Sequence, residues 1–192
     1  MEWTVERDYA REALPKRDPE GHKGTFGEVL ALAGSVGYTG AAWLAAEGAV
    51  RGGCGLVHLG VPEDIWPVEA VKCTSAMPFP LAAEDGGLSL RALEGIREKL
   101  ARCDVLALGP GLGRRAETAE LIRRLLSETE KPAVLDADGI NALAGHIDIL
   151  DGRRGRVTVL TPHEGEFARI GDLSGGRVRA ARDFAVDHGC WL

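Results

Sequence analysis

The chain has 192 residues, of which 45% are hydrophobic and 27% charged, and its formal net charge is −6. That is enough apolar sequence for one domain with a core, and it excludes intrinsic disorder as the main state. The acidic balance argues against nucleic acid or an anionic membrane as partner, since both reward a basic face. No apolar run approaches the ~20 residues of a membrane span. The polar segment 1–23 lacks the apolar stretch of a secretory signal, so a cytoplasmic location is expected.

Short apolar runs alternate with helical stretches along the chain. Residues 28–33 (EVLALA) read as a strand that meets the turn residues Gly34 and Ser35. Residues 40–51, rich in Ala and Leu, read as a helix, and 56–61 (LVHLGV) as a second strand. Pro62 is expected to open a short helix, because proline suits a helix's first turn. Residues 73–77 form a candidate third strand. Residues 88–101 read as an amphipathic helix, with apolar positions near helical spacing.

Residues 105–108, 133–135 and 157–160 read as strands. Residues 117–127, 139–144, 164–170 and 178–188 read as helices. This alternation implies βαβ units, a mostly parallel sheet and helices on both faces, in a single domain over 1–192. The final four residues, Gly189 to Leu192, look like the start of another strand. The four cysteines are scattered and form no C-x-x-C pair, so buried free thiols are expected rather than zinc or disulfides.

Ligands of open α/β sheets bind beyond the carboxyl ends of the strands. Four marked segments fall there. The first runs from Gly34 to Ala41 (GSVGYTGA), and glycines let backbone approach a ligand while the next helix offers free N–H groups to an anion. The second is Gly109-Pro110-Gly111-Leu112-Gly113, a rigid glycine loop that repeats this geometry. Each also reads as a plain turn.

The third segment places Asp136, Asp138 and Asn141 at one strand end. They suit ribose hydroxyls, a water-mediated magnesium ion or a helix cap, with Asp138 the natural cap. The fourth is Thr161-Pro162-His163-Glu164. Thr161 reads as the cap and Glu164 as its box partner. His163 is left over as a ligand contact. The remaining histidines carry no such setting. The clusters Arg114-Arg115 and Arg153-Arg154 with Arg156 read as solvated surface, or as phosphate contacts.

In chain order the motifs are H-K-G-x-F-G, A-G-S-x-x-Y-T-G-A-A, G-C-G-L-V, G-P-G-L-G, L-D-A-D-G-x-N and L-T-P-H-x-G-E-F. Together they resemble the NAD(P)H-hydrate dehydratases, which are ribokinase-like αβα proteins. The resemblance runs from about Lys23 to Leu192. It implies repair of hydrated NADH and NADPH (NADHX and NADPHX), using ATP or ADP with Mg2+ to phosphorylate the ring hydroxyl before phosphate leaves. It also implies a homo-oligomer, and substrate contacts at Ala41, Gly111 and His163. Asp136 and Asn141 join them on the residue-level reading above.

The family continues into a nucleotide-contact segment and a G-T-G-D motif whose aspartate is the general base. No G-T-G-D occurs in these 192 residues. The chain is therefore expected to be C-terminally truncated relative to the family, and no catalytic residue is assigned. Two other readings share the motifs: a ribokinase-like kinase of a vitamin-precursor alcohol, and a non-catalytic nucleotide-binding remnant.

Overall fold

The computed structural model describes residues 6–192, so the first five residues of the polar N-terminal segment lie outside it. In chain order it contains α1 (Arg7–Ala13), a 3-10 turn (Lys23–Phe26), β1 (Glu28–Leu32), α2 (Thr39–Arg51), β2 (Leu56–Pro62), α3 (Trp66–Lys72) and β3 (Met77–Leu81). A two-stranded antiparallel hairpin follows, β4 (Ala83–Glu84) and β5 (Gly87–Leu88), then a second 3-10 turn (Leu90–Ala92) and α4 (Leu93–Leu100). The second half holds β6 (Val105–Leu108), α5 (Ala116–Glu128), β7 (Ala133–Leu135), α6 (Asp138–Asn141) and α7 (Asp148–Asp151). It closes with β8 (Thr158–Leu160), α8 (Glu164–Ile170) and α9 (Arg177–His188).

The main sheet is six-stranded, with the order β3-β2-β1-β6-β7-β8 and every neighbouring pair parallel. The chain winds outward from β1 through β2 to β3, returns to lay β6 against the other side of β1, and winds outward again. The strand order thus reverses between β1 and β6. In such sheets a crevice opens at this reversal, outside the carboxyl ends of the strands.

Successive side chains of a strand point to opposite faces, and the two faces carry separate cores. Ala31, Ala33, Val57, Leu59 and Val61 pack with Ala42 and Ala46 of α2. The larger cluster on the other face joins Leu30, Leu32, Leu106 and Leu108 to the apolar sides of α4 and α5. In α5, Leu121, Ile122, Leu125 and Leu126 recur at helical spacing and are all buried. Each contributes about 1.5–3 kcal/mol relative to exposure. The cluster ends at Phe167 and Phe184, which meet edge to face at 5.4 Å.

Several local expectations need correcting. Pro62 closes β2, opposite Leu81, instead of opening a helix; α3 starts at Trp66 with Pro67 in its first turn. The third strand begins at Met77, where 73–77 was expected. It carries Pro78 and Pro80, which an edge strand tolerates because one side needs no donors. Leu88 belongs to the hairpin, and α4 begins only at Leu93. Neither α1 nor the hairpin was anticipated.

Arg153 overturns its reading as a solvated charge. It is 1% exposed. Its guanidinium donates to the carbonyls of Leu126, Thr129 and Lys131 and to Thr158 Oγ1, at 2.8–3.0 Å. Burial first, and then nearby Arg156, pulls its pKa below the ordinary arginine value. One side chain thereby fastens the entry to β8 to the C-terminal end of α5 and the entry to β7.

The closing residues, expected to look like the start of a strand, contribute one isolated bridge. Trp191 forms a parallel bridge with Val159 on the outer side of β8, through N–H···O bonds of 2.9 and 2.8 Å. No cysteine is in a disulfide; Cys103 and Cys190 are buried, whereas Cys54 and Cys73, expected to be buried, are only half-buried. Among the described residues, no helix is long and apolar enough to cross a membrane.

Candidate functional site

Four adjacent strands, β1, β6, β7 and β8, each end in one of the marked loops, so the topology sets these loops side by side. Hydrogen bonds then tie each loop to the next. The Gly34 N–H donates to the Pro110 carbonyl at 2.8 Å, and Ser35 Oγ donates to the Gly111 carbonyl at 2.7 Å. This pair joins the β1 and β6 loops across the reversal point.

Gly111 sits where no other residue fits. Its φ is +67°, and a Cβ there would lie 2.9 Å from the Cβ atoms of both Ala41 and Tyr38. Two expected contacts, Ala41 and Gly111, are therefore neighbours. Gly109 plays the matching part toward β7: its φ is +129°, and a side chain would run into the Asp136 carbonyl. The 13-residue helices α2 and α5 start just beyond these two loops. Their free N–H groups and positive dipole ends favour an anion at each loop.

Asp138 does not cap α6, contrary to the reading from sequence; Ala137 holds the N-cap position. Asp138 Oδ2 instead accepts from the Gly113 N–H at 2.9 Å, and Oδ1 accepts from Asn141 Nδ2 at 3.1 Å. Asn141 Oδ1 accepts in turn from Arg169 of α8 at 2.9 Å. Asp136 Oδ1 accepts from Thr161 Oγ1 at 3.0 Å, which joins the β7 and β8 loops. A cleft of about 150 Å³ is lined by Gly113, Arg114, Asp138, Asn141 and Arg169 among others.

The turn between β7 and α6 is strained. Ala137 has φ +48° and ψ −115°, and the Gly139 N–H donates to the Asp136 carbonyl at 2.9 Å. Those angles belong to the first central residue of a type II′ turn, a place that favours glycine. Such a conformation costs on the order of 1–3 kcal/mol and gathers at functional loops. It sets the directions of Asp136 and Asp138 on either side. Nothing in the spelling Asp-Ala-Asp announces it. Ser35 and Thr161 were likewise missed as loop ties; their positions directly after strands were the available signal.

His163 has a role that the sequence reading gave to Thr161. It is the N-cap of α8: Nδ1 accepts from the Gly165 and Glu166 N–H groups at 3.0 and 3.3 Å. Glu166, not Glu164, completes the box by accepting from the His163 N–H at 3.0 Å. With Nδ1 as acceptor, the neutral ring carries its proton on Nε2, which lies 3.1 Å from Glu166 Oε1. The side chain is 69% exposed. Capping thus fixes the tautomer and leaves a donor edge at the surface. His163 stands two loops further out than Gly111, and the ties between them run through Thr161, Asp136, Asp138 and Gly113.

A larger groove of about 500 Å³ runs between α8 and α9, lined by Phe167, Asp172, Arg179, Asp183, Phe184 and His188 among others. It includes none of the glycine-loop residues. The four adjoining loops, which begin at the β1/β6 reversal, mark the candidate site rather than cavity size.

Comparison with known proteins identifies the family and the fold. The sequence profile of the NAD(P)H-hydrate dehydratase family matches residues 29–190. A bifunctional NAD(P)H-hydrate repair enzyme of Moorella thermoacetica is 44% identical over 175 residues, covering 91% of this chain and 33% of that protein. The corresponding enzyme of Salinibacter ruber is 42% identical, covering 89% and 32%. The chain therefore spans about a third of the length of these relatives.

Among solved structures, a ribokinase-like superfamily protein of Enterococcus faecalis superposes with a TM-score of 0.79 at 19% identity, covering 97% of this chain and 63% of that one. An ADP/ATP-dependent NAD(P)H-hydrate dehydratase of Bacillus subtilis, co-crystallised with ATP and Mg2+, gives 0.66 at 27% identity, covering 95% and 62%. The fold is ribokinase-like, and the chain belongs to the NAD(P)H-hydrate dehydratase family.

Proposed function

We propose that this chain forms the substrate-binding face of a nucleotide-dependent NAD(P)H-hydrate dehydratase, which returns NADHX and NADPHX to NADH and NADPH. The observation that carries the reading is the pair of glycine loops at the β1/β6 reversal, each feeding a 13-residue helix. A dinucleotide brings an anionic pyrophosphate, and a helix N-terminus contributes about 0.3–1 kcal/mol to holding such a charge. Gly111 and Ala41 leave room for close approach. His163 presents an exposed ring edge whose Nε2–H a ligand would share with Glu166 Oε1. Asp136 Oδ2 offers an acceptor for a ribose hydroxyl, and Asn141 would exchange its Asp138 or Arg169 partner for one.

ATP or ADP with Mg2+ belongs to the same reading. The nucleotide would supply the group that turns the ring hydroxyl into a leaving group. Asp136 and Asp138 do not fit a resident Mg2+ site, since they are engaged by Thr161, Gly113 and Asn141. No catalytic step is assigned to them. A cytoplasmic homo-oligomer completes the proposal, supported by the exposed Leu44, Val68 and Val71 on α2 and α3.

The test has two arms. Calorimetry with NADHX or NADPHX should show binding to the 192-residue chain, and absence of binding would reject the substrate face. Recovery of reduced-nicotinamide absorbance with Mg2+ and ATP or ADP reports the dehydration. A phosphorylated product that persists would instead favour a small-molecule kinase.

A further inference from the structure

At the opposite end of the sheet from the glycine loops, three side chains of different chemistry converge. Glu28 opens β1, His58 lies in β2, and Cys103 lies between α4 and β6. Their ligand atoms all lie within 4.8 Å of one another, and His58 Nε2 is 3.4 Å from Glu28 Oε2. Cys103 is fully buried; the Glu28 and His58 side chains are 28% and 13% exposed, which leaves access from solvent past the carboxylate.

The cluster is held by backbone as well as by packing. Asp104 clasps Glu28 twice: its N–H donates to the Glu28 carbonyl at 2.8 Å, and its Oδ2 accepts from the Glu28 N–H at 2.8 Å. That double bond pair fixes the neighbouring Cys103 against the start of β1. Register sets His58 opposite Leu30, so it shares a sheet face with Glu28, two residues along β1. The dehydratase reading uses none of these residues.

We propose that Glu28, His58 and Cys103 form a binding site for a zinc-class divalent cation. One thiolate, one imidazole and one carboxylate are the donor types zinc takes, and three protein ligands leave a fourth position for water. The His58–Glu28 separation of 3.4 Å already matches two ligands of a tetrahedral ion, and the sulfur would close by up to about 1 Å on binding. On binding, the Cys103 thiol releases its proton to solvent, and a metal–sulfur bond replaces the S–H bond. The thiolate and the Glu28 carboxylate together balance a dication.

The metal-free 192-residue protein should be titrated with Co2+ and then Zn2+. One equivalent of Co2+ is expected to give thiolate-to-cobalt charge-transfer absorption, which one equivalent of Zn2+ abolishes. Cys103→Ser should remove that band, His58→Gln should weaken Co2+ binding at least tenfold, and Cys73→Ser should change neither. Circular dichroism verifies folding. If Cys103→Ser does not fold, His58→Gln decides. No charge-transfer band in the parent protein, a band that disappears in Cys73→Ser, or unchanged affinity in His58→Gln would overturn the site.

Discussion

Replacing Arg153 tests whether one buried guanidinium holds the β7 and β8 ends in place. In Arg153→Met, the carbonyls of Leu126, Thr129 and Lys131 and the Thr158 hydroxyl all lose their donor. A buried acceptor left unpaired costs about 1–3 kcal/mol, so four amount to ~4–12 kcal/mol before relief. Removing the buried charge returns several kcal/mol of desolvation, and the neutral acceptors left behind carry no uncompensated charge, so the net loss should be roughly 2–4 kcal/mol. That is a large share of the ~5–15 kcal/mol stability of an ordinary domain. Lysine keeps a charge but cannot reach four acceptors from one ammonium group, so Arg153→Lys should lose roughly 2–3 kcal/mol. Urea unfolding followed by far-UV circular dichroism gives the order parent, lysine, methionine. A methionine variant within about 1 kcal/mol of the parent would refute the argument, because water would then be satisfying the carbonyls.

Gly111→Ala should weaken dinucleotide binding at least tenfold in calorimetry, since the added methyl meets Ala41 and Tyr38 at a positive φ. His163→Ala should lose about 1 kcal/mol of stability with its cap, whereas His163→Asn should regain most of that stability and none of the Nε2 contact; unfolding and binding measured together separate the two roles. Ala137→Gly should stabilise the fold by roughly 1 kcal/mol by relieving the type II′ turn, and an unchanged urea midpoint would remove the claim of strain. Burial pushes the Cys190 thiol up from 9.0 to about 11. The folded state therefore holds that proton more tightly than the unfolded state. Its contribution is constant below about pH 9 and falls by roughly 2–3 kcal/mol as pH rises through 11. Unfolding between pH 8 and 11 should show a shallower decline in Cys190→Ala.

The sheet was legible because its strands are short apolar runs broken by glycine, and the four loops because each follows a strand directly. Element boundaries were less legible where proline served two uses. Pro62 can open a helix or end a strand, and only its pairing with Leu81 decides. His163 was singled out as a ligand contact and not as a cap; a histidine is an unusual cap, so the sequence reading passed that role to Thr161. Asp138 has the residue type of a cap, yet its partner is Gly113, 25 positions earlier. Arg153 gave no sign of burial, because its carbonyl partners carry no side-chain signature. The grouping of Glu28, His58 and Cys103 depends on strand order and is invisible to spacing along the chain.

The ties between the four loops have a consequence for the kinetics of recognition. Ser35, Asp136, Asp138 and Thr161 join one loop to the next through the protein's own hydrogen bonds. Loops ordered during folding have little conformational freedom left to surrender at encounter. A dinucleotide should therefore associate in one bimolecular phase whose rate rises linearly with concentration, with no slower closing step. Differences in affinity among loop variants should then appear mainly in how long the ligand stays.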